Sequence, residues 1–179
     1  AQELRLTVRG QDKIGIIGPN GVGKSTLLAK LQQLLSNKRE ISLGYMPQDY
    51  HKKLQLELSP VAYLNHTGQK EELQKIQSHL ASLNFSYPEM HHQIRSLSGG
   101  QQGKLLLLDL VLRKPNFLLL DEPTRNFSPT SQPEIRKLFG SYPGGLTTVS
   151  HDRRFLKEVC TSIYRLTENS LEVVALQDL

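Results

Sequence analysis

Tryptophan is missing from these 179 residues, aromatic residues make up only 6% of them, and there is a single cysteine, Cys160. One cysteine excludes an internal disulfide and any multi-cysteine metal site. A solitary thiol of this kind reads as a small apolar packing residue rather than a reactive one. No run of about 18 apolar residues occurs, so no membrane-spanning helix is encoded. The first ten residues, AQELRLTVRG, lack the basic start and apolar centre of a secretory signal, which makes a cytoplasmic location the default expectation. Internal repeats and low-complexity tracts are absent as well.

What remains is an ordinary globular composition, 37% hydrophobic and 22% charged, in a chain long enough for one domain with a full core. The formal charge of +5 and pI near 9.4 suit anionic partners, among them nucleotide, RNA or acidic lipid surfaces. The excess is too small to choose among these.

Residues 18–26 read GPNGVGKST and fit the pattern G-x-x-x-x-G-K-[ST], with Gly18 and Gly23 as framing glycines, then Lys24 and Ser25. Ile14, Ile16 and Ile17 before it read as a short buried strand, and Ser25 to Leu35 carries leucines at helical spacing. Phosphates are gripped by backbone N–H groups, and glycines let the chain curl around anionic oxygens. The following helix adds the partial positive charge of its N-terminus. Lys24 is then placed to reach the β and γ phosphates and the Ser25 hydroxyl to hold Mg²⁺, with Pro19, Asn20, Gly21, Val22 and Thr26 completing the loop. A glycine-rich turn with a chance lysine would have no reason to sit between a strand and a helix.

Leu4, Leu6 and Val8 alternate with Glu3, Arg5 and Thr7 as in a half-buried strand, and Gly10 to Lys13 reads as a turn, so the chain is expected to open with a hairpin. Further strands are expected at residues 41–46, 117–120, 146–149, 163–166 and 171–176, the last two as a closing antiparallel pair. Residues 50–96 differ, being rich in Lys, Gln, His and Ser, with helical patterns at 60–65 and at 70–83, where Leu73, Ile76, Leu80 and Leu83 line one face. Tyr87-Pro88 and His91-His92 are assigned to a loop; neighbouring histidines without a third ligand do not make a metal site. Residues 105–112 form an apolar helix broken by Asp109, and 135–139 a short helix.

Four more stretches fall into order behind the phosphate loop. Gln48 follows a strand, Leu97-Ser98-Gly99-Gly100-Gln101 opens a helix, Leu118-Leu119-Leu120-Asp121-Glu122-Pro123 ends a strand, and His151 follows the last buried strand. Together the five resemble the nucleotide-binding domain of the ABC ATPase superfamily, over essentially the whole chain. The resemblance implies an α/β fold, a P-loop NTPase core with a parallel sheet, an N-terminal antiparallel β part and a small helical subdomain at about 50–112 inserted in one ATP-binding domain, 1–179. It implies ATP and Mg²⁺ as ligands. Asp121 then supports Mg²⁺ together with Ser25 and Gln48, Glu122 polarises the attacking water, and Gln48 and His151 sense the γ-phosphate. Ser98, Gly99, Gly100 and Gln101 would serve ATP on an opposing domain docked head to tail, so a second nucleotide-binding domain is the expected partner.

Within the superfamily, Val149 to Leu156 is similar to the ABC-F branch, whose members act on ribosomes, and Asp121 to Pro129 looks like its antibiotic-resistance type, particularly the second domain. The family's adenine-stacking aromatic falls at or beyond residue 1, which implies an excised domain lacking it. Two departures stand out. Phe127-Ser128 occupies the place of the usual Leu-Asp, and the segment from Lys24 to Gln48 is shorter than in transporter domains. The leading expectation is an ATP-hydrolysing ABC-F domain with a ribosome or rRNA partner. The rivals are the energising subunit of a membrane transport domain and a non-catalytic ATP-binding switch. No DNA partner is expected, because the family's DNA-repair members insert long coiled coils between the positions matching Gln48 and the signature stretch Leu97 to Gln101, and only residues 49–96 lie there.

Overall fold

The structure, a computed structural model, describes residues 5–179, apart from the side chain of His51. In chain order the elements are β1 (Lys13–Ile17), α1 (Lys24–Ser36), β2 (Leu43–Met46), α2 (Pro60–Leu64), α3 (Lys70–Ser82), α4 (Tyr87–His91), α5 (Gly99–Leu112), β3 (Phe117–Asp121), α6 (Gln132–Gly140), β4 (Gly145–Val149), α7 (Arg153–Val159), β5 (Ser162–Leu166) and β6 (Leu171–Val174). No helix among the described residues is long and apolar enough to cross a membrane.

The chain divides into two compact units. Of the described residues, the first comprises 5–48, 114–125 and 135–179. All six strands of the described residues lie in it, as one sheet in the order β2-β3-β4-β1-β5-β6. β2, β3, β4, β1 and β5 are parallel, and only β6 runs antiparallel, against β5. This is a mixed α/β sheet whose central strands are rich in apolar and β-branched residues, as burial on both faces demands; every residue of β3 and β4 is buried, Thr147 and Thr148 included. Leu28 of α1 packs with Ile14, Ile16, Leu119 and Val149 in one core cluster, while Leu156 of α7, Cys160 and Ile163 form another.

The expected N-terminal hairpin is not formed among the described residues, Glu3 and Leu4 lying outside them. Residues 5–9 adopt no strand. Leu6 and Val8 are instead partly buried against the α1 core cluster, so their alternation records one apolar side without a strand partner. The turn after them is present, with the Asp12 N–H bonded to the Arg9 carbonyl at 2.9 Å and the Arg9 N–H to the Asp12 carboxylate at 2.9 Å.

The second unit comprises residues 49–113 and 126–134 and is helical. Leu64, Ile76, Leu80 and Ile94 are at most 2% exposed. α4 replaces the expected loop around Tyr87-Pro88. Ser86 precedes it with a capping box to Glu89, Pro88 fits its first turn, and the Tyr87 and His91 rings stack with centroids 4.2 Å apart. Buried Asp109 interrupts the apolar run of α5 because three partners hold its carboxylate: the Tyr63 hydroxyl at 3.3 Å, His66 Nε2 at 3.0 Å and Arg113 Nε at 3.0 and 3.1 Å.

Candidate functional site

Parallel pairing brings four strand ends together. Ile16 of β1 is level with Val149 of β4, which is level with Asp121 of β3, and Leu120 of β3 is level with Met46 of β2. The phosphate loop, His151, Glu122 and Gln48 follow within two residues of that row, at the carboxyl edge of the sheet where ligands of open α/β folds sit. Residues far apart in sequence thus share one edge in the first unit.

The loop from Gly18 to Gly23 curls through positive φ at Gly21 and Gly23, the latter at 100° directly before α1. A Cβ on Gly18 would lie 2.4 Å from the Leu166 carbonyl oxygen, which is backbone and cannot yield. The N-terminus of α1 has no side-chain cap and no acidic residue in its first turn, so its unpaired N–H groups and dipole present a cradle for an anion. Pro19, Asn20 and Gly21 are exposed and Val22 half-buried. The Lys24 ammonium, on a residue only 8% exposed, donates to the Gly18 and Pro19 carbonyls, at 2.8 Å each. Two of its three protons are thereby directed at the loop itself. Ser25 and Thr26 are exposed at the helix start.

Asp121 closes β3 at 3% exposure, and its Oδ1 is buried without a hydrogen-bond partner. Such an oxygen is costly unless a cation or donor meets it. Glu122 takes φ 51°, a strained value for a residue with a side chain, held by its N–H bond to the Val149 carbonyl at 2.8 Å. Its carboxylate accepts from the His151 N–H at 3.2 Å and lies 3.4 Å from His151 Nε2. Burial is the main cause that raises the Glu122 pKa above the ordinary carboxylate value; the His151 N–H and charge oppose the rise, Asp121 adds to it and Lys24 opposes it. Tyr45, on β2, is partly buried against the α1 core cluster, and burial first and the Asp121 charge second raise its phenol pKa. Gln48 is exposed, two residues beyond β2.

The donor set fits Mg²⁺. A free buried carboxylate oxygen, a serine hydroxyl and a glutamine carbonyl are hard oxygen ligands, few enough that phosphate oxygens and water would complete an octahedron. The described residues hold no group of three His, Cys, Asp or Glu side chains able to cage a metal without them.

The signature residues belong to the second unit. Ser98 caps α5, its hydroxyl accepting from the Gln101 N–H at 3.3 Å while the Gln101 side chain accepts from the Ser98 N–H at 3.0 Å, and the Gln101 amide also bonds to Glu89. Ser98 and Gly99 are exposed and Gly100 half-buried.

A family model described as ABC transporter matches residues 1–125. The chain belongs to the ABC transporter family. An uncharacterized ABC transporter ATP-binding protein of Schizosaccharomyces pombe is 31% identical over 175 residues, covering 94% of this chain and 24% of its own length. The Escherichia coli (strain K12) protein YheS, named as a probable ATP-binding protein, is 30% identical over 176 residues, covering 94% of this chain and 28% of its own. The chain therefore spans about a quarter of the length of these curated relatives. Among solved structures, the ATP-binding cassette MJ0796, a dimer in a post-hydrolysis state bound to ADP and Pi, superposes with TM-score 0.79 at 20% identity, over 97% of this chain and 89% of that one. The fold is accordingly that of an ABC cassette.

Proposed function

We propose that residues 1–179 are one ABC ATP-binding domain, its helical part at about 50–112, that hydrolyses ATP together with a second nucleotide-binding domain in an ABC-F type protein acting on the ribosome. The observation that carries the hydrolytic part is the row of neighbouring strand ends joining the phosphate loop, Asp121, Glu122 and His151, with Asp121 Oδ1 unsatisfied.

The backbone N–H groups of residues 20–26 seat the β and γ phosphates, Pro19 having none, and Lys24 contributes its remaining donor. Ser25, Gln48 and Asp121 would hold Mg²⁺, which supplies charge stabilisation of the transferring phosphoryl group. Glu122, its carboxylate oriented by the His151 N–H, accepts the proton of the attacking water, and its raised pKa improves it as a base near neutrality. His151, mostly exposed, turns its ring from the same edge toward the γ-phosphate. Ser98, Gly99, Gly100 and Gln101 act in trans, the exposed start of α5 offering N–H groups and dipole to ATP held by the opposing domain. ATP would close the two domains and hydrolysis reopen them. The dimeric state named for MJ0796 supports this arrangement.

The similarity of residues 149–156 and 121–129 to ABC-F proteins supports the ribosomal role. The description of the matching family favours a second reading, energising a membrane transport domain. Glu122→Gln in the full polypeptide separates them: with ATP it should co-sediment with ribosomes, whereas retention in the membrane fraction would favour transport. A third reading, an ATP-binding switch without hydrolysis, draws on Ser128. Its hydroxyl is engaged by Thr130 and Ser131 at 2.9 and 3.1 Å, where the family usually carries an aspartate.

A further inference from the structure

The first turn of α5 carries two consecutive glycines, Gly99 and Gly100, which have no side chains with which to fix their own position. The capping box ties Ser98 and Gln101 to each other and Gln101 to Glu89, and the Gln102 side chain donates to the Ile94 and Leu97 carbonyls at 3.2 and 3.3 Å. Two other segments meet this turn within the helical unit. Tyr50, two residues after Gln48 and 2% exposed, donates its hydroxyl to the Gly99 carbonyl at 3.3 Å. The same hydroxyl accepts from the Asn126 side-chain amide at 3.3 Å, four residues after Glu122. The packing is close where α5 faces these two segments. A Cβ on Gly100 would lie 3.2 Å from the Asn126 carbonyl oxygen, and one on Gly103 would lie 2.5 Å from the Tyr50 hydroxyl and 2.9 Å from the Phe127 ring. The bulky Phe127 therefore fits beside α5 because Gly103 leaves room for it.

We infer that Tyr50 and Asn126 are positioning residues for the Ser98-Gly99-Gly100 turn, fixing the direction in which its N–H groups point. The inference rests on the hydrolytic reading above, in which that turn must meet a transferring phosphate. Donors aimed at a transition state lose their effect when displaced by about 1 Å, at a cost of roughly 10²-fold in rate. Tyr50 and Asn126 stand where the segments following Gln48 and Glu122 enter the helical unit, so one hydroxyl holds the signature turn against both.

Tyr50→Phe in the full polypeptide that carries this chain removes both bonds and keeps the buried ring. Loss of two neutral hydrogen bonds acting as a unit should lower kcat about three- to tenfold. KM for ATP and the affinity of this chain's phosphate loop for a non-hydrolysable ATP analogue should stay within about twofold, because Lys24 and its loop are untouched. Asn126→Ala removes one of the two bonds and should lower kcat by no more than Tyr50→Phe does, and the double variant should lose no more than Tyr50→Phe alone, the signature of a shared contact. A parental kcat for Tyr50→Phe, a loss confined to ATP affinity, or losses that multiply in the double variant would each overturn the inference. Glu122→Gln assayed alongside keeps the two ideas apart. If it is inactive while Tyr50→Phe is parental, only the positioning role fails; if it hydrolyses at the parental rate, the hydrolytic reading fails and takes this inference with it.

Discussion

Lys24→Ala is the perturbation whose effect follows most directly from the geometry. The ammonium is nearly buried and already donates at 2.8 Å to the Gly18 and Pro19 carbonyls, so of its three protons one is left for a phosphate oxygen. A hydrogen bond to a charged group contributes about 1.5–3 kcal/mol, and each 1.4 kcal/mol is tenfold in affinity, so ATP binding should weaken by roughly 10- to 150-fold. The loop carbonyls released by the substitution lie on partly exposed residues and can turn to water, which limits the loss of fold stability. Calorimetric titration with Mg-ATP, beside a thermal melt, reads both quantities. ATP affinity within threefold of the parent in a folded variant would refute the assignment of residues 18–26 as the phosphate cradle.

The buried carboxylate of Asp109 is shared by Tyr63, His66 and Arg113, but His66 and Arg113 side chains are 43% and 56% exposed and can be rescued by water. Asp109→Ala should therefore cost about 1–3 kcal/mol in urea unfolding, less than the loss of a fully buried pair, and an unchanged midpoint would contradict the clasp. Cys160 is 6% exposed and burial pushes its thiol up to about 12, so alkylation at pH 8 should be far slower in the folded protein than in urea; equal rates would show the thiol is accessible. Burial raises the Glu122 pKa, so the carboxylate protonates earlier than an ordinary one as pH falls. The acid limb of kcat/KM should accordingly lie above the usual carboxylate value of 4.5, and a limb at or below it would contradict burial as the dominant influence.

The parts of this protein that the sequence discloses are those written in contiguous residues. The runs at 14–17 and 117–120 are apolar throughout and the one at 146–149 is broken only by the β-branched Thr147 and Thr148; strands buried on both faces take such residues, and all three form central strands. The phosphate loop reads directly because its glycines and its lysine are neighbours. By contrast, Leu6 and Val8 alternate like a strand yet only fill a core, since alternation reports a buried side and not a pairing partner. The helix at Tyr87 is masked in the sequence by a Pro and two His that suggest a loop, although Ser86 followed three residues later by Glu89 spells a capping box. Strand order cannot be read from periodicity; it is the pairing, with β4 between β3 and β1, that sets Met46, Asp121, Val149 and Ile16 along one edge of the sheet. The Tyr50 to Asn126 bond joins positions 76 apart with no motif to link them.

The central claim, that this strand-end constellation hydrolyses ATP with Glu122 as its base, is tested most directly by single-turnover hydrolysis in Glu122→Gln within the full polypeptide. The substitution keeps the shape and a hydrogen-bonding oxygen for the His151 N–H but removes the proton acceptor. Mg-ATP should bind with parental affinity while the hydrolysis step slows by roughly 10²–10⁴-fold, and the closed two-domain state should accumulate. Hydrolysis at the parental rate would contradict the account and leave a nucleotide-binding switch in its place.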